Sequence, residues 1–311
     1  MCERIMIPVM DGAYRRVYAP APDVYEGVPT ASFVPGTRYD DWIANDFSIL
    51  KGADGCWHAF GITHPRPPEF TDAFHFQPGH VHEAEYQLFH AAYAGTLDEL
   101  YEHGAMTDRE KVLYPKDRPG CRPECHAPAV FRMPEGYGMV YAPQTLYFAA
   151  SKDLDSWQIQ RALFSGGAYM RDPFVFEEDG VYYILYNDSE TLWLRKTRDF
   201  RQVSEPELLL ENGFGGQVFM ESPFLTKREG MYYLMWCVYD GQNGCYDNRT
   251  YVYAAPTLEE LKGKAPLTVL RGHAPELVQS ESGRWYIASV FYPENGLSLA
   301  PLRWEALYDA E

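Results

Sequence analysis

Basic residues are scarce in this sequence: 27 Lys and Arg stand against 44 Asp and Glu, a formal net charge of -17. That balance repels phosphate backbones and anionic lipid headgroups. No local run of Lys or Arg offsets it, so neither nucleic acid nor a membrane surface is expected as a partner. Long apolar runs are also missing. The amino-terminal MCERIMIPVMDG carries Glu3 and Arg4 and holds no stretch of signal-peptide or membrane-span length, which gives a cytoplasmic expectation. Cysteine is sparse too, with six in the chain (Cys2, Cys56, Cys121, Cys125, Cys237 and Cys245), expected to be reduced thiols in that compartment. Cys121, Cys125 and His126 form a C-x3-C-H without a second pair and read as a plain loop, so no metal site is expected there. The sequons at Asn187 and Asn248 carry no weight in the same setting.

What is plentiful points to β structure. Aromatic residues reach 15%, with 24 Tyr, while 25 Gly and 23 Pro supply turns, a composition suited to an all-β, turn-rich fold rather than a helical bundle. The 311 residues alone do not separate one domain from two. An internal repeat does.

The stretch MRDPFVFEEDGVYYILYN has four relatives, starting at Asn45, His126, Glu221 and His273. Each reads as a polar pair, usually Pro, an apolar strand, a Gly turn and a second, aromatic strand. That is a β-hairpin. The last four copies begin roughly 50 residues apart, the period of propeller blades, and the longer first step holds an insertion. Third strands follow at Tyr147, Trp193, Tyr251 and Leu297. The expectation is a five-bladed β-propeller with four-stranded antiparallel blades, residues 1–311 as one unit, the amino-terminal segment completing the last blade.

In a propeller the starts of the inner strands converge at one end of the axis. Asn45, Asp46, His126, Arg171, Asp172, Glu221, Ser222 and His273 are then neighbours. A single Asp or Glu before a Pro often only caps a strand start, but three carboxylates from three blades beside one Arg are unlike solvent-facing charge. Crowding raises at least one carboxyl pKa and Arg171 keeps a neighbour ionised, so an acid and a base can coexist, as glycosidic cleavage requires. The loops after the second strands form the rim. There Asp188, Asp240 and Asn243 are expected to meet sugar hydroxyls, and Trp42, Trp57 or Tyr141 to stack on a sugar ring. His80, His82, Glu83 and Glu85 sit on the same rim, but strand alternation divides them between two faces, against one ligand cluster.

From about Tyr39 to Trp304 the chain resembles the five-bladed propeller glycoside hydrolases of families 43 and 32. Asn45-Asp46 followed by Gly55-Cys56-Trp57-His58-Ala59-Phe60 looks like the first-blade signature, Arg171-Asp172-Pro173 like the Arg-Asp-Pro of the invertase-type family, and Glu221-Ser222-Pro223 like the general-acid element. Gly272-His273 resembles the last-blade His that faces a central cation or its waters. The resemblance implies Glu221 as general acid, Asp46 as nucleophile or base, and Asp172 as orienting, charge-stabilising carboxylate. Asn45, Trp57, His58, His126, Arg171, Asp188, Asp240 and His273 would contact substrate, a furanoside such as an arabinofuranoside or fructofuranoside. No cofactor is required, although a structural calcium near the axis, held through waters by His126 and His273, fits the resemblance. Phe47 departs from the usual Pro after the first Asp, and no β-sandwich follows Trp304. A carbohydrate-binding propeller without catalysis and a glycoside phosphorylase are the alternatives. The sequence leaves the oligomeric state open.

Overall fold

All five repeats fold as antiparallel hairpins, because alternating apolar strands are joined by residues that accept left-handed backbone. In the third and fourth copies both turn residues are left-handed, Asp179 and Gly180 (φ 52 and 71) and Glu229 and Gly230 (φ 49 and 83). This is the two-residue turn whose twist matches the flanking strands. The computed structural model describes residues 5–67, 85–188, 190–213, 218–240, 245–290 and 296–307.

Each hairpin grows into a blade. Blade one contains Trp42–Lys51, Trp57–Pro65, Gln87–Tyr93 and Thr107–Asp108, and blade two His126–Met133, Gly136–Ala142, Thr145–Ser151 and Gln158–Ser165. Blade three contains Met170–Glu178, Val181–Asp188, Thr191–Thr197 and Glu207–Glu211. Blade four contains Val218–Arg228, Met231–Asp240, Cys245–Ala255 and Thr268–Arg271. In blade five, His273–Gln279, Trp285–Val290 and Leu297–Ala306 are completed by the amino-terminal strands Met6–Met10 and Arg15–Tyr18, both paired with Leu297–Ala306. The expected five-bladed, four-stranded architecture is the one observed, with an extra strand in the last blade.

One apolar cluster fills each seam between adjacent blades. Leu185, Leu194, Leu225 and Trp236 join blades three and four, and Phe47, Phe89, Tyr286 and Val290 join blades one and five. Each such side chain contributes roughly 1.5–3 kcal/mol by burial, so the seams hold the ring of inner strands in place. No helix among the described residues is long and apolar enough to cross a membrane.

Every inner strand carries the same irregularity near its start. Three residue steps on the inner strand oppose two on its partner between Ala44 and Phe47, His126 and Ala129, Arg171 and Phe174, Glu221 and Phe224, and His273 and Glu276. Such bulges re-aim side chains beside functional sites. In four blades the second bulge residue is left-handed: Ala127, Asp172, Ser222 and Ala274 (φ 35, 50, 48 and 48). The register shifts the sequence alignment of the first copy by one residue. Ala44, not Asn45, holds the place of Arg171, and Asp46 stands where the other blades have Pro.

Candidate active site

The bulges turn three carboxylates toward one another. Asp46 Oδ1 accepts the Ser222 hydroxyl at 3.0 Å and lies 3.9 Å from His273 Nε2, while Glu221 Oε2 is 3.8 Å from the same nitrogen. Arg171 Nη2 donates to Glu221 Oε1, and its Nε lies 3.6 Å from Asp172 Oδ2. Asp172 is buried. Its Oδ2 accepts from the Ser222 N–H and from Asn187 Nδ2, each at 3.2 Å. Asn187 also donates to the Met220 carbonyl, tying blade three to blade four.

Burial, followed by the charges of Asp172 and Glu221, pushes the Asp46 carboxyl well above the usual carboxylate range. Burial and the nearby Arg171 guanidinium press His273 down to about 3, leaving a neutral imidazole between Asp46 and Glu221. Its backbone N–H donates to Ser289 Oγ at 2.8 Å. Deeper on the axis, burial raises Glu276 to about 8, and its Oε2 accepts the Ile49 N–H at 2.9 Å.

The remaining expected residues are placed less uniformly. His126 is buried at the start of blade two with Nε2 2.9 Å from Glu85 Oε2, and Glu85 adds to the upward push on Asp46. Asn45 is buried, its Oδ1 without a hydrogen-bond partner. Asp188 pairs with Met170 at the pocket end of blade three, and the backbone of Asp240 pairs with Val218 at the same end of blade four. Asn243, His80, His82 and Glu83 lie outside the described residues.

Trp57 and His58 are not at this end. Trp57 pairs with Lys51 and His58 with Leu50, beside the hairpin turn, and the five residue steps from Asp46 to Lys51 span about 16 Å. Trp57 packs in the core and donates to Glu281 at 3.0 Å. Trp42 and Tyr141 are core residues as well, each inside a seam or satellite cluster, so neither offers a face to a sugar. Cys125 is buried in the core, its thiol pushed up to about 12 by burial, and does not join a ligand group with Cys121 and His126 among the described residues.

An aromatic rim does exist, built from residues that sequence reasoning passed over. The Tyr169 ring, 56% exposed, stacks on Phe219 (centroids 6.0 Å, 20°), which stacks on Tyr239 (5.9 Å, 14°). Tyr169 and Phe219 each precede by two residues the Arg171 and Glu221 of the pocket. That spacing, an aromatic two positions before a blade start, was the available signal.

No protein-family model matches the chain, and no curated protein matches it by sequence. Solved structures do match its fold. A thermostable family-43 glycoside hydrolase superposes with TM-score 0.61 at 15% identity, covering 87% of this chain and 91% of that one. The catalytic domain of the Coprinopsis cinerea family-62 α-L-arabinofuranosidase gives 0.61 at 14%, covering 94% and 97%. An exo-1,5-α-L-arabinanase from a bovine ruminal metagenomic library gives 0.60 at 16%, covering 86% and 94%. What the chain shares with them at these identities is the five-bladed propeller fold.

Proposed function

We propose that the chain is a glycoside hydrolase acting on a terminal or short-oligosaccharide furanoside, with Asp46 and Glu221 as its acid/base pair. The observation that carries this reading is the meeting of three carboxylates and one guanidinium at the bulged starts of three blades. Hydrolysis of a glycosidic bond needs one carboxyl group to protonate the leaving oxygen and one carboxylate to attack the anomeric carbon or to activate water. Three carboxylates facing a single cation hold a proton between them, and a proton shared in this way belongs to the group rather than to one residue.

In the ligand-free pocket burial and the neighbouring carboxylates favour the protonated form of Asp46, while Glu221 is ion-paired with Arg171. In our reading Glu221 delivers the proton once sugar oxygens take over Arg171, and Asp46 then serves as nucleophile or base. Asp172, held by the Ser222 and Asn187 N–H groups, orients the sugar and stabilises positive charge as the bond breaks. The Tyr169 ring is the stacking platform. Arabinofuranosides are the favoured substrates, since two of the fold's neighbours carry arabinose-releasing names.

A directly held axial calcium does not fit the lining. Calcium takes six to eight oxygen ligands. The axial cavity is only about 30 Å³ and is walled in part by the apolar rings of Pro128, Pro173, Pro223 and Pro275, so six to eight oxygens cannot gather around an ion there. No step is therefore routed through a cation.

The test is a series of aryl furanosides of graded leaving-group pKa, with anomeric configuration followed by NMR. Glu221→Gln should lose most turnover on poor leaving groups and little on activated ones, whereas Asp46→Asn should lose turnover on all of them. The opposite pattern moves the acid to Asp46. Absence of turnover on every furanoside, with ligand binding intact, replaces hydrolysis by carbohydrate binding.

A further inference from the structure

The hairpin turn of blade one, at the end away from the carboxylates, gathers three different metal-binding side chains. The ligand atoms of Asp54, Cys56 and His58 all lie within 4.8 Å of one another. The turn that presents them is closed by the Gly52 N–H to the Cys56 carbonyl at 2.7 Å and by left-handed Gly55 (φ 85). A Cβ at residue 52 would stand 2.9 Å from His58 Nε2, so glycine keeps the hollow beside the imidazole open.

His58 is wired rather than loose. It is buried, with Nε2 3.2 Å from both Asp54 carboxylate oxygens and Nδ1 2.9 Å from His90 Nε2. His90, also buried and stacked on Phe60 at 4.3 Å, turns Nδ1 toward Asp155 Oδ1 at 3.6 Å. The row therefore runs carboxylate, imidazole, imidazole, carboxylate. When His58 Nδ1–H donates to His90 Nε2, the Nε2 lone pair of His58 is left for a cation at the Asp54 end. His90 Nδ1–H then faces Asp155. Metal-bound histidines are oriented by outer hydrogen bonds of this kind.

We infer that Asp54, Cys56 and His58 form a binding site for a divalent ion of the zinc class, with His90 as a positioning residue. One oxygen, one sulfur and one imidazole suit Zn²⁺ or Co²⁺ and not Ca²⁺ or Mg²⁺, which take oxygen ligands. The Asp54 side chain is 50% exposed, so a fourth, solvent-filled position lies on that side. The site is separate from the carboxylate pocket at the other end of the strand.

Titration of the metal-free full chain with Co²⁺ tests the inference. One equivalent should bind with a thiolate-to-cobalt band in the near ultraviolet and the intense visible bands of four-coordinate cobalt, and Zn²⁺ should displace it. Cys56→Ser, a change in a partly exposed turn, should abolish the thiolate band, while Cys121→Ser should keep it. His90→Phe, which retains the stack on Phe60, should weaken binding roughly 10–100-fold without moving the band. No thiolate band in the parent chain, or a band that survives Cys56→Ser, overturns the site. Unchanged affinity in His90→Phe overturns the positioning role.

Discussion

Arg171 of blade three reaches across the seam to Glu221 of blade four, donating from Nη2 to Oε1 with its side chain only 17% exposed. The same guanidinium lies 3.6 Å from Asp172 through Nε, so one cation holds two carboxylates that would otherwise repel each other and Asp46. Among the acidic groups of the pocket, Glu221 and Asp172 are the two that this guanidinium faces.

Arg171→Met should therefore cost about 3 kcal/mol at neutral pH, because it leaves Glu221 charged and uncompensated in a largely buried position. Adding Glu221→Gln should return most of that loss. Urea unfolding of the two single variants and the double variant measures both steps, and a double variant no more stable than Arg171→Met would sink the pairing argument.

Glu276 sets a different dependence. Its carboxyl is raised to about 8, so between the ordinary carboxyl pKa of about 4.3 and that value the folded state binds more protons than the unfolded one. Stability then falls as pH rises through this window. His273, pressed down, acts in the opposite sense, but only below its ordinary value of about 6.5. Glu276→Gln retains an acceptor for the Ile49 N–H and should flatten the fall, its Tm overtaking that of the parent as pH approaches 8. Parallel melting curves from about pH 5 to 8 would contradict the raised carboxyl.

Removing the exposed ring of the rim should touch binding alone. Tyr169→Ala takes away a stacking surface worth about 1 kcal/mol, so KM should rise about fivefold with kcat and Tm nearly unchanged. Michaelis–Menten constants on the best furanoside decide the matter.

Trp57→Phe should do the reverse. The indole sits in the core at the hairpin end and donates to Glu281, so the variant should lose about 1 kcal/mol of stability and leave kcat/KM as it was. A large rise in KM would return Trp57 to the substrate.

The blades were legible because a hairpin is a local object: strand alternation and a Gly turn lie within one short window, and the same window recurs five times. The convergence of Asp46, Asp172 and Glu221 followed from that repeat and from the closure of a propeller. The stacking aromatics were not legible. Whether Trp42, Trp57, Tyr141 or Tyr169 faces solvent depends on which neighbouring blade covers it, and no local pattern records that. The one-residue offset of blade one was hidden for a related reason, since Phe47 looked like a substitute for Pro while the bulge register puts Asp46 in that place. Glu276 was missed because its partner is a backbone N–H on another blade.

The strand Met6–Met10 lies on Leu297–Ala306, so the first residues described in the chain and nearly the last are stitched into a single sheet. The carboxylate cavity is thus a product of the finished circle. Prying those two strands apart, by a cut or a fusion, would open the ring that brings Asp46, Asp172 and Glu221 together without altering any of the three.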